Sequence, residues 1–301
     1  MAAAAVGWNP IRTLDVGWRV LVIALVYGVL MLPASMAQAN GSPVVQIGAS
    51  LATGAAYALL MLPLARHLPD GRLARFLAIF LPLYWIGTLG NIIEALVWTS
   101  ISRSTLIAGA VYLLVPIAAV SGLIAWLLPA GEAPAPALTI SAALRQRPFF
   151  SWAWRVLVAG VLFAVALELA GKAWGPVISR YYADPAFTAK YHTFLPPLAI
   201  GVPDEVFRGV VFALVLLPLL AVLRGRDWRS LLLVAAYVAL IDAAIEGWLP
   251  MLAQPNYPLG FKLAEGVGDL GTDAIVRGAF IALLLALPAL PTVRRAAAPP
   301  G

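Results

Sequence analysis

Asp204, Glu205 and Arg208 stand together in GVPDEVFRGVVF, residues 201 to 212, among Val, Phe and Gly. Two later segments repeat the mixture. LIDAAIEGW carries Asp242 and Glu246, and GDLGTDAIVRG carries Asp269, Asp273 and Arg277, with Glu265 just before it. Residues four apart share one face of a helix, so each segment stacks its charged groups. Grouped carboxylates can activate water, share protons or bind a hard cation, and a neighbouring arginine steadies negative charge.

The elements that must position these groups belong to a membrane protein. Of 301 residues, 62% are hydrophobic and 11% are charged, and the mean hydropathy is +0.91. A soluble domain is near half apolar and a quarter charged. The composition predicts an all-α polytopic protein of about eight transmembrane helices, near 17–38, 44–66, 74–98, 105–129, 151–171, 197–222, 230–252 and 266–290. Ala37-Gln38-Ala39 has the small-residue pattern of a signal-peptidase site, but the repeat described next argues that helix one is retained. The +6 net charge points to arginines at cytoplasmic helix ends rather than to nucleic acid. Without cysteine there is no disulfide, thiolate nucleophile or cysteine-bound metal.

The chain resembles itself. GWRVLVIALVYGVLML from Gly17 is answered by AWRVLVAGVLFAVALEL from Ala153, and GAAYALLMLPL from Gly54 by GVVFALVLLPL from Gly209. GAVYLL from Gly109 has a looser echo in GAFIALL from Gly278. Each unit then holds four helices and returns the chain to its starting side, giving two parallel repeats. The units are residues 1–130, lacking the acidic site, and 151–301, carrying it; the Pro/Ala-rich stretch 131–150 is a cytoplasmic linker.

Arginines orient the bundle. Arg12, Arg19, Arg66, Arg72, Arg75, Arg145, Arg147, Arg155, Arg224, Arg226, Arg229, Arg294 and Arg295 fall on one side. Arg103, Arg180, Lys172, Lys190 and Lys262 fall on the other. The positive-inside tendency places both termini in the cytoplasm of a multi-pass cell-membrane protein, with the acidic groups in the outer halves of helices six, seven and eight.

Intrahelical pairing of Asp204 with Arg208 and of Asp273 with Arg277 neutralises part of this charge. The other carboxylates must protonate, bind a cation or face water, because a lone ionised carboxylate in low dielectric costs several kcal/mol. Unit one manages without them: Ala49, Ser50 and Thr53 stand opposite the Asp204 group, and Ser100 and Ser104 opposite Asp269 and Asp273. It keeps Asn91 and Glu94 on helix three as comparable polar groups. A requirement of the scaffold alone therefore does not account for the charges in unit two. Asp242, Glu246, Asp269 and Asp273 are candidates to hold a divalent cation such as Mg²⁺, Ca²⁺ or Mn²⁺, with proton sharing as the competing account.

DEVFRGVVFALVL, from Asp204, resembles the first signature of the CPBP family, the CAAX-protease and bacteriocin-processing intramembrane proteases. That signature is two glutamates, three residues and an arginine, ending in Phe-Arg-Gly. The likeness covers about residues 150 to 290 and is specific around Phe207-Arg208-Gly209. Aligning on Arg208 sets Pro203 at the first glutamate, Asp204 at the second and Glu205 one place on. Where the family has histidines on its later helices, this chain has Asp242, Glu246, Asp269 and Asp273. Its two histidines, His67 and His192, lie in loops. The resemblance implies an intramembrane hydrolase acting on a membrane-embedded peptide or lipid. Glu205 or Asp204 would activate water, with Arg208, Arg277 and His192 as donors for an oxyanion. The residues also admit a proton- or cation-coupled transporter with an outward cavity, or a scaffold without catalysis.

KAWGPVISRYYADPAFTAKYHTFLPP, residues 172 to 197, is basic and aromatic and reads as an interfacial belt or as a lid over the acidic groups. No Walker loop, dinucleotide fingerprint, His-Glu-x-x-His or Gly-x-Ser-x-Gly occurs.

Overall fold

A computed structural model describes residues 10–37, 43–65, 68, 71–128, 140–145, 147–222, 228–249, 251 and 257–286. Arg66, His67, Arg224, Arg226, Arg294, Arg295, Gln38 and Ala39 lie outside them, as do the side chains of Arg12, Arg229 and Glu246.

Among the described residues the fold is all helix, with no strand beyond one bridge between Thr99 and Thr193. The long helices are α1 (Pro10–Ala37), α2 (Pro43–Ala65), α3 (Arg72–Trp98) and α4 (Arg103–Leu127). After the short α5 (Ile140–Leu144) come α6 (Phe149–Tyr182), the short α7 (Pro185–Tyr191), α8 (Leu198–Val222), α9 (228–248) and α10 (259–286). Five of them are long and apolar enough to cross a membrane: α1 over Asp15–Ala34, then α2, α3, α4 and α6. Large apolar side chains such as Val44, Leu73, Trp126, Phe149 and Phe150 stand exposed on these helices, as expected where hydrocarbon is the solvent.

One apolar core runs through both halves of the chain, from Ile23, Tyr57, Ile79 and Ile124 to Phe163, Phe212, Ile241 and Ile281. Helix α1 lies along α2, α6 lies along α8 and α10, and α9 lies along α10. Contacts of α3 with α8 and of α2 with α9 join the halves.

Arginines tie down helix ends. The last carbonyls of a helix have no intrahelical donor. Arg19 donates to the Leu127 carbonyl, and Arg75 donates to the Leu128 carbonyl at 2.9 Å, so both serve the end of α4. At the end of α10, Arg155 donates to the Leu284 carbonyl and Arg147 donates to the Leu285 carbonyl at 2.7 Å.

Three helices carry widened π turns, at Trp85–Leu89 in α3, Ala243–Trp248 in α9 and Lys262–Leu270 in α10. Such turns bond i to i+5 and are frequent at functional sites. They were not legible in the sequence, and they alter the regular i, i+4 stacking expected of Asp242 with Glu246 and of Asp269 with Asp273.

The fifth expected span was too short. Helix α6 continues to Tyr182 rather than stopping near 171, running through Pro176. Tertiary packing extends it. Tyr181 and Tyr182 meet Phe261 with ring centroids 5.2 and 6.2 Å apart, and Phe187 lies 4.8 Å from the same ring. With Ile178, Tyr191 and Tyr257 they form a second small core where a belt or lid was expected. Asp184 caps α7 by accepting from the Ala186 N–H at 2.9 Å.

Candidate functional site

Two buried arginines organise the charged residues. Arg208 Nη1 donates to both carboxylate oxygens of Glu205, at 2.7 and 2.9 Å, and Nη2 donates to Glu94 Oε2 at 2.9 Å. Arg277 donates through Nη1 to Asp273 at 2.6 Å, and through Nε and Nη2 to Asp242 at 2.9 and 3.5 Å. Both guanidiniums lie over the ring of Phe163 on α6, at 4.3 Å for Arg277 and 5.4 Å for Arg208. An aromatic face attracts a cation electrostatically, and more so away from water.

The expected pairing of Asp273 with Arg277 forms. That of Asp204 with Arg208 does not: Arg208 reaches one position along to Glu205 and across to α3. Glu205 is 2% exposed and holds its arginine with both oxygens. Four carboxylate oxygens are buried without a hydrogen-bond partner among the described residues: Asp204 Oδ2, Glu265 Oε2, Asp269 Oδ1 and Asp273 Oδ1. Buried acceptors are nearly always satisfied, so each of these is a place for a proton, a water or a cation.

Beside the arginine pairs opens a cavity of about 480 Å³, bounded by the ends of α3 and α6, the π turn of α10 and residues 193 and 195. Among the described residues, Glu94, Glu168, Glu265 and Asp269 line it, with Lys172 as the one cation. Glu94 belongs to both places: it pairs with Arg208 while a quarter of its side chain remains exposed. Tyr182 donates to Glu265 Oε1 at 3.0 Å.

Two glycines let aromatic walls close on the acidic turn. A Cβ on Gly268 would stand 2.6 Å from the Trp174 ring, and one on Gly271 would stand 2.2 Å from Trp248 Nε1. Any larger residue at either position would push the turn away, and Asp269 and Asp273 with it.

The eight candidate residues therefore divide. Glu205, Arg208, Asp242, Asp273 and Arg277 are drawn into two buried ion networks, and Asp269 into the cavity wall. Asp204 is half-buried. Glu246 lies in the π turn of α9 with its side chain outside the described residues. Among the described residues no three acids or histidines stand where they could hold one ion, and the side chain of Glu246, one of the four candidate ligands, lies outside them. Asp242 and Asp273 are instead turned onto Arg277, because a guanidinium reached from the same buried layer neutralises them. His192 is exposed, with Nδ1 3.4 Å from Ser100 Oγ, at a backbone φ of 56°.

Sequence reasoning missed Phe163, Glu168 and Tyr182 and left Glu94 outside the site. Glu94 had a signal: it is the lone acid in the apolar run GNIIEALVW. Phe163 had none, since an aromatic residue in an apolar helix reads as packing.

No protein-family model matches the chain, no curated protein matches it, and no solved structure matches it.

Proposed function

We propose that this is an integral membrane protein of eight spanning helices, built as two parallel four-helix units, that takes protons or cations into its acidic cavity as a coupled transporter. The carrying observation is that Glu265 and Asp269, each with a buried carboxylate oxygen that has no hydrogen-bond partner among the described residues, line a cavity together with Glu94, Glu168 and Lys172. An intramembrane carboxylate is costly unless it takes up positive charge or faces water.

Matched contacts support the duplication. Gly54 abuts Ala24 and Tyr27, and Gly209 abuts Gly160 and Phe163, which are the corresponding residues of the repeated segments. Tyr27 and Tyr57 meet edge to face at 5.3 Å, and Phe163 and Phe212 do so at 5.9 Å. Arg19 and Arg155, also corresponding residues, each cap the end of their unit's fourth helix. In this reading α8, α9 and α10 span with the five apolar helices, and the arginine distribution puts both termini in the cytoplasm.

The test is proton uptake into liposomes carrying the purified protein, driven by an imposed potential and read with an enclosed pH dye. Wild-type protein should acidify the lumen, and the Glu265→Gln/Asp269→Asn double variant should lose most of that flux. Equal flux in the two would sink the reading.

A second reading is a divergent intramembrane hydrolase of the CPBP type. One observation favours it: the arginine of the Phe-Arg-Gly signature clasps two glutamates, Glu205 and Glu94, and Glu94 reaches the cavity. Here Glu94 rather than Glu205 would activate water, since Arg208 occupies both oxygens of Glu205. Cleavage of a membrane-embedded peptide that is lost in Glu94→Gln while binding persists would establish it. Glu205→Gln separates it from transport in the same assays, and a scaffold would show neither flux nor turnover.

A further inference from the structure

We propose that the ligand of the acidic cavity is an organic cation, an amphipathic amine or quaternary ammonium, held by Asp269. This rests on the reading of the cavity as a cation site and names the class of cation. Asp269 is only 9% exposed, lines the cavity, and has Oδ1 fully buried with no hydrogen-bond partner among the described residues. A carboxylate that lines an open volume and has an oxygen with no donor among the described residues is a docking point for positive charge.

The other carboxylates define the ligand's charge. Glu94 is already paired with Arg208, and Glu265 accepts from Tyr182, whereas Asp269 Oδ1 has no donor among the described residues. Glu168 and Lys172, one turn apart on α6, are exposed and lie at the rim. Arg208 is shared between Glu205 and Glu94, and the Tyr182 hydroxyl carries no charge, so the inner wall keeps an excess of negative charge and calls for a cation.

The walls define the ligand's body. About 480 Å³ falls within the roughly 300–1,000 Å³ of small-molecule sites, far more than a bare ion fills. Trp98, Tyr182, Leu167, Ile178 and Leu195 line it, offering apolar contact and aromatic faces to an alkylated nitrogen. A divalent metal would need several oxygens converging at 2.0–2.6 Å, roughly. The acids are instead spread around the cavity, and no such group occurs among the described residues.

The experiment measures binding of radiolabelled tetraphenylphosphonium to the full chain in detergent. The expected result is saturable binding that excess unlabelled tetraphenylphosphonium displaces and millimolar Mg²⁺ does not, while tetraphenylborate, assayed separately because the two ions pair with each other, does not bind. Asp269→Asn should weaken it by about tenfold or more, a loss near 1.4 kcal/mol, and Asp269→Glu should largely restore it. Unchanged affinity in a folded, monodisperse Asp269→Asn protein overturns the proposal, and so does displacement by Mg²⁺. If Asp269→Asn cannot be recovered, the separate tetraphenylborate measurement on the wild-type protein decides, since that ion has the same shape with the opposite charge, and equal binding of the two overturns the proposal. Proton flux that depends on Asp269 without tetraphenylphosphonium binding would sink this proposal and leave the transport reading standing. Absence of both would sink the two together.

Discussion

Glu94 of α3 and Arg208 of α8 meet at 2.9 Å across 114 residues of chain. The contact joins the halves of the protein at its most polar point, so each half depends on the other for charge balance. Deleting the arginine leaves Glu205 buried without this partner, and breaking a buried pair in that way costs about 3–5 kcal/mol. Arg208→Met should therefore lower the thermal midpoint in detergent by many degrees. Arg208→Met combined with Glu205→Gln should recover part of the loss, because no ionised side chain then remains on α8 at that depth except Asp204. A double variant no more stable than the single one would show that Glu205 is not the source of the cost.

Gly209 marks the closest approach of α8 to α6. A Cβ there would stand 2.3 Å from Phe163 Cβ and 2.9 Å from the Gly160 backbone, neither of which can swing aside. Gly209→Ala should cost about 1–3 kcal/mol by overpacking and shift Phe163 from beneath the two guanidiniums. Gly54→Ala, which meets Tyr27 Cβ at 2.8 Å and the Ala24 backbone at 2.9 Å, should behave alike. Gly171→Ala faces open space and serves as the control. Thermal unfolding of the three variants side by side checks this.

The helix-end arginines make a separate prediction. Arg155 is 2% exposed and supplies a donor to the Leu284 carbonyl. Arg155→Ala should destabilise by about 1–3 kcal/mol, the cost of a buried acceptor left without its donor. It should do so without altering ligand binding, since the site lies toward the other end of α6. A binding assay together with a melting curve distinguishes the outcomes.

Divalent ions should leave the protein unmoved. Asp242 and Asp273 are committed to Arg277 at 2.9 and 2.6 Å, which removes two of the four acids that might have held an ion. The melting temperature should be the same in EDTA as in millimolar Mg²⁺, Ca²⁺ or Mn²⁺. A rise of several degrees with any one ion would contradict this.

Orientation is checked by fusion. On the proposed topology, a reporter attached after Gly301 should be active only when it is one that works in the cytoplasm. A periplasm-dependent reporter that lights up there would reverse the topology.

Composition and periodicity determined the helical class by themselves. Long uncharged runs admit no other backbone in hydrocarbon, because each N–H and C=O must be satisfied within its own segment. For that reason the expected starts of α2, α3, α4 and α8 fall within a few residues of those found, whereas α1 begins at Pro10 rather than 17. The sequence also marked the acids on three successive helices, since charge within an apolar run is conspicuous. Partner choice was decided only in three dimensions. Local spacing favoured Asp204 for Arg208, whereas packing α3 against α8 brought Glu94 within reach and turned Glu205 inward. The π turns have the same origin: an extra residue per turn re-aims Glu265 and Asp269, and nothing in GVGDLGTD announces it. Phe163 became the shared platform of two arginines because α6 packs against both α8 and α10, a relation that no pattern within α6 contains.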